Sequence, residues 1–174
     1  MRKAFTLAEV LIMLVIIGTI IVSSIPMIKS SLEGIRKKQY IVAYKVAQAI
    51  SQDAVLNFSV FNTGFLNNNS AGYCTEFAKR VNRIGALNPN CAASAIPNTP
   101  NFITTNGLRW FSLESAFVAS RLTIYADVDG PNKGTNTVGD DILRIIVTDQ
   151  ANVFAPLNSK ECTYLGGNAS GHCI

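Results

Sequence analysis

The stretch AFTLAEVLIMLVIIGTIIVSSIPMI, Ala4–Ile28, decides how the rest of the chain is read. From Phe5 to Ile28 the only formally charged side chain is Glu9. An apolar run of this length exceeds the about 20 residues that a helix needs to cross a bilayer core. A secretory signal has an apolar core of only about 7–15 residues followed by an A-x-A cleavage site; this run is longer and no such site follows it. A plain signal anchor fits the length but leaves Glu9 unexplained, since a carboxylate in hydrocarbon costs roughly 2.5–3.5 kcal/mol on insertion scales. A third reading explains both. Arg2 and Lys3 hold the N-terminus in the cytoplasm, the small Ala4 suits a peptidase pocket, and a cut after it frees an α-amine on Phe5, four residues before Glu9.

Ala4-Phe5-Thr6-Leu7-Ala8-Glu9-Val10-Leu11-Ile12 resembles the processing motif of type IV pilins and of the related pseudopilins of type II secretion. The resemblance implies a cleaved leader, Met1–Ala4, and a membrane prepilin peptidase that cuts before Phe5 and methylates the new amine. It further implies a subunit that waits in the inner membrane, head outside the cytoplasm, until an assembly platform adds it to a helical filament of like or related subunits. The residue before the cut departs from the family's usual Gly, being Ala4. In this reading Glu9 attracts the Phe5 amine of a neighbouring subunit. In a low-dielectric core such a pair attracts strongly and sets register, whereas an unpaired carboxylate is penalised. The plainer alternative is a Glu9 that snorkels to the headgroups.

Working outward, residues 5–28 form the membrane or filament-core half of a long helix. Pro26 sits within it, where the family commonly carries a proline and where some filaments melt locally on assembly. Residues 29–56 form the outer half, with Lys29, Arg36, Lys37 and Lys38 marking the end of the apolar zone. Leu32, Ile35, Val42, Val46, Ile50 and Ala54 recur at helical spacing and predict one apolar face. The head, 57–174, reads as α+β. Asn67–Ser70 and Asn88–Pro100 are loops, and Thr75–Val81 is a short helix capped by Thr75. Phe102–Thr105 and Leu108–Leu113 are strands joined at Asn106-Gly107, a strong hairpin signal. Leu122–Ala126, Ile142–Thr148 and Val153–Phe154 follow as strands, and Trp110 belongs to the core. The expected fold is a long N-terminal helix packed on a small antiparallel sheet, similar to type IV pilins.

Cys74, Cys91, Cys162 and Cys173 allow three pairings, among which spacing does not choose, and their pattern is unlike a zinc ribbon. Outside the cytoplasm disulfides persist. The resemblance favours Cys162–Cys173, since pilins staple a C-terminal surface loop this way, and with it Cys74–Cys91. The stretch Asp127-Val128-Asp129-Gly130 with Gly139-Asp140-Asp141 gathers carboxylates between two strands. It is no EF-hand, because Val138 stands where the bidentate Glu belongs. Acidic side chains and turn carbonyls are nevertheless hard ligands, and related pseudopilins carry a calcium loop before a late strand. That resemblance implies calcium on Asp127, Asp129 and Asp140; a polar turn is the alternative.

The net charge is +4, and loss of Arg2 and Lys3 with the leader leaves +2, which is not the footprint of a nucleic-acid binder. The single histidine, His172, adjoins the last cysteine, and neither a nucleophile–base set nor a phosphate-binding glycine loop can be assembled. The expected protein is therefore not an enzyme. It is a structural subunit of a type IV pilus-like filament at the cell surface, or a pseudopilin of a secretion or DNA-uptake machine in the periplasm. A membrane-anchored binding module is the rival from another class.

Overall fold

The computed structural model describes residues 6–56, 70–85, 91, 93–131, 133–167 and 173. The chain forms two compact units, Met1–Ile35 and Arg36–Ile174. Helix α1, Leu7–Leu56, runs unbroken for 50 residues, about 75 Å at helical rise. Proline at position 26 gives no N–H to the carbonyl four residues back, yet the helix continues through it. Just before it, the Ser23 and Ser24 hydroxyls both donate to the Ile20 carbonyl at 2.9 and 2.8 Å, so these polar side chains are satisfied within the apolar segment.

In the second unit, α1 buries Tyr40, Ala43, Tyr44, Ala47, Ile50, Ser51 and Ala54. This stripe differs from the expected one: Leu32, Ile35 and Val42 are exposed, and only Ile50 and Ala54 are buried members of both. Alanines let the backbone come close, while the tyrosines bury their rings and hand their hydroxyls to the head. The Tyr40 hydroxyl donates to the Arg144 carbonyl at 2.8 Å and that of Tyr44 to the Val153 carbonyl at 2.7 Å.

Helix α2 spans Ser70–Arg80. It begins five residues before the expected start, so Thr75 is interior and caps nothing; Cys74, Tyr73 and Phe77 face the core. Ser70, expected in a loop, opens this helix. Six strands follow in a single antiparallel meander, β1 (Arg83–Ile84), β2 (Phe102–Thr104), β3 (Arg109–Phe111), β4 (Arg121–Asp127), β5 (Ile142–Thr148) and β6 (Val153–Phe154). Strand β1 and the short helix α3, Lys160–Tyr164, were not foreseen. The Asn106-Gly107 hairpin forms, but with a three-residue loop. The Thr104 N–H reaches the Leu108 carbonyl, and Gly107 takes φ +87°, the left-handed position such a loop requires.

Strands β4 and β5 are the centre. Leu122, Ile124 and Ala126 pair across with Val147, Ile145 and Leu143, and all are buried. Fully burying each large aliphatic side chain contributes about 1.5–3 kcal/mol. Phe77, Phe102 and Trp110 stack beside them, with Phe77 and Trp110 centroids 4.9 Å apart.

Candidate functional site

The feature that sets this chain apart from an ordinary α+β domain is the first unit. Its helix carries large apolar side chains from Leu7 to Ile28 on all sides, and every one of them is exposed. An apolar surface of that extent marks a membrane or protein contact. The helix is long and apolar enough to cross a membrane.

Glu9 lies in the first turn of this helix and is not a bare carboxylate. The Thr6 N–H and hydroxyl donate to Glu9 Oε2 at 2.8 and 2.9 Å, and the Glu9 N–H donates back to Thr6 Oγ1 at 3.3 Å. This is a reciprocal capping box, which satisfies orphan donors at a helix start and places negative charge at the positive end of the helix dipole. Thr6 is thus a residue that sequence reasoning passed over, although the T-x-x-E spacing was legible. Glu9 Oε2 is engaged within its own chain. Ala4 and Phe5, the expected processing site, lie outside the described residues, as does His172.

The four cysteines form two bridges, Cys74–Cys91 and Cys162–Cys173. The first ties α2 to the loop that leads to β2. The second ties α3 to the chain end. Helix α3 is seated on the sheet by the buried Glu161, whose Oε1 accepts from the Arg144 backbone N–H at 3.1 Å and from its Nε at 2.9 Å. Burial by itself pushes the Glu161 carboxyl up; Arg144 and the backbone N–H groups outweigh it and hold the pKa below its ordinary value.

The acidic loop departs from its expected chemistry. Asp127, fully buried, accepts from Arg109 Nη1 through Oδ2 at 3.0 Å, and its Oδ1 accepts from the N–H groups of Asp129 and Gly130. Arg109 in turn donates to the Pro97 carbonyl at 2.7 Å and lies over the Phe111 ring. Asp129 Oδ2 takes Arg36 Nη2 at 2.8 Å and Nε at 2.9 Å, and Asp140 Oδ1 takes Arg36 Nη1 at 3.3 Å and Lys160 Nζ at 3.1 Å. Asp140 and Asp141 directly precede β5. The buried Asp141 accepts the N–H groups of Asn136 and Thr137 at 2.6 and 2.7 Å.

These residues do not fit calcium, which takes about 6–8 oxygens at 2.3–2.6 Å. Arginine side chains already hold Asp127, Asp129 and Asp140, and among the described residues no group of three His, Cys, Asp or Glu side chains could hold a metal. Burial pushes the Asp129 carboxyl up, Arg36 pulls it down only in part, and Asp141 and Asp127 add to the rise. Thr135 and Lys160 hold Asp140 below its ordinary range.

No protein-family model, curated protein or solved structure matches the chain. The class that fold and site define is an α+β unit with two disulfides, preceded in the chain by an apolar helix long enough to span a membrane.

Proposed function

We propose that the chain is a structural, non-enzymatic subunit of a type IV pilus-like filament. It is inserted in the inner membrane, processed before Phe5, and assembled by packing its N-terminal helix against those of other copies. The observation that carries this reading is the exposed apolar surface on all sides of residues 7–28, with one carboxylate, Glu9, at its start. A tether needs the apolar length but no acid. A filament core needs both, because apolar helices bury one another and a single ion pair fixes their register. The Thr6–Glu9 capping box satisfies the carboxylate before assembly, and the ammonium form of a neighbour's Phe5 amine is the stronger partner, since its hydrogen bond is charge-assisted on both sides. The prepilin peptidase, an assembly platform and the bilayer are the partners this function requires.

The test has two parts. Intact mass and N-terminal sequencing of native material should give a mature chain starting at a methylated Phe5, present in sheared surface fractions. Glu9→Ala should block filament formation while the processed protein still accumulates in the membrane. An uncut chain, or normal filaments from Glu9→Ala, would refute the reading and revive the tethered binding module. Mature chain confined to the membrane would shift the assignment to a secretion or DNA-uptake pseudopilin.

A further inference from the structure

We infer that Arg36 is the resident cation of the loop between β4 and β5, holding its carboxylates together in place of a divalent metal. This does not depend on the filament reading. The Arg36 side chain is only 14% exposed, and its guanidinium bridges Asp129 from one end of the loop to Asp140 from the other. Lys160 of α3 supports it from a second side, donating to both the Asp140 carbonyl and carboxylate.

The loop closes over the guanidinium at Gly134, which takes φ +71°. A Cβ there would collide with Asp141 Oδ2 and would lie 2.5 Å from Arg36 Nη2 and 2.6 Å from Asp129 Oδ2. Only glycine leaves the room. Negative charge still exceeds what Arg36 neutralises: Asp141 faces the same point, and Asp129 Oδ1 is buried with no donor. With Arg36 removed, Asp129 loses its donor, while Asp140 keeps Lys160 and Asp141 keeps the N–H groups of Asn136 and Thr137, so three carboxylates share one cation. A loop so short of positive charge gains from another cation, and calcium is the hard cation that oxygen ligands of this kind select.

The experiment uses the full chain in detergent micelles and follows thermal unfolding by the fluorescence of Trp110, the only tryptophan and fully buried. Wild type should have the same Tm, within about 1 °C, in EDTA and in excess calcium chloride, because the Arg36 guanidinium already holds Asp129 and Asp140. Arg36→Gln should melt lower in EDTA, and calcium should raise its Tm by roughly 5 °C, the sign of a metal in the vacated place. A calcium-dependent rise in wild type would overturn the inference, as would an Arg36→Gln that melts like wild type in EDTA. A destabilised Arg36→Gln that calcium leaves unchanged would overturn the equivalence of guanidinium and metal. Should Arg36→Gln fail to fold, the wild-type comparison still decides, and Arg36→Lys, which keeps the charge without the fork, should melt lower than wild type.

Discussion

Replacing Asp127 with Ala should be among the most damaging single changes in the head. The substitution strands the Arg109 guanidinium, whose side chain is only 7% exposed and whose partner is fully buried. Breaking a buried pair from one side costs about 3–5 kcal/mol, because a charge is left without compensation in a poor solvent. Arg109 keeps the Pro97 carbonyl, which argues for the lower half of that range. The half-buried N–H groups of Asp129 and Gly130 lose their acceptor too, adding about 1 kcal/mol between them. A total near 4 kcal/mol is a large share of the roughly 5–15 kcal/mol that stabilises a domain. At roughly 4 °C per kcal/mol it lowers Tm by about 15 °C. Trp110 fluorescence in a thermal or urea titration reads it directly. A separate cycle uses apolar replacements throughout: Asp127→Leu, Arg109→Met and the double variant Arg109→Met/Asp127→Leu. The double variant should be more stable than the sum of the single losses by about 2–3 kcal/mol, since apolar replacement of both partners leaves no orphan charge. An Asp127→Ala within about 1 kcal/mol of wild type, or a strictly additive cycle, would refute the reasoning.

Glu161 should make the head acid-sensitive. Its folded pKa lies below the ordinary 4.5, so its pairing with Arg144 stabilises fully above that value and is lost as pH falls through the folded one. Glu161→Gln should be less stable at neutral pH and show a flatter decline under acid, measured as Tm against pH; an unchanged slope would count against it. Opening the Cys162–Cys173 bridge with Cys162→Ser/Cys173→Ser should cost about 3 kcal/mol on the chain-entropy account of a loop this short. Limited proteolysis of the region after α3 should then speed up, and an unaltered cleavage rate would argue against the staple. Gly134→Ala should cost about 2–4 kcal/mol, combining a left-handed backbone with overlap at the carboxylate cluster. Wild-type stability in chemical denaturation would show the loop to be looser than its geometry implies.

The membrane-length helix and the central hairpins were legible in the chain because they depend on local pattern. An unbroken apolar run has one solution in lipid, and alternation with a turn glycine has few in a sheet. Residues 142–148 and 153–154 form strands at the expected bounds, and Asn106-Gly107 turns the chain where expected. The buried face of α1 was only half legible. Hydrophobicity pointed to Leu32, Ile35 and Val42, whereas close packing chose the small Ala43 and Ala47 and the hydroxyl-bearing Tyr40 and Tyr44. Similarly, Thr75 has the chemistry of a cap, yet α2 starts at Ser70 and runs through it because Tyr73, Cys74 and Phe77 must reach one core.

The sequence by itself determined the apolar helix, its lone acid and the T-x-x-E spacing that caps it, since every partner lies within one helical turn. The charges of the acidic loop were visible there too, but their use was not. Arg36 meets Asp129 from 93 positions away in the chain, and Arg109 meets Asp127 only because β3 and β4 pair in that register. Tertiary structure alone decided that guanidinium groups face these carboxylates. Coulomb attraction acts through space, and only the fold sets which distances are short.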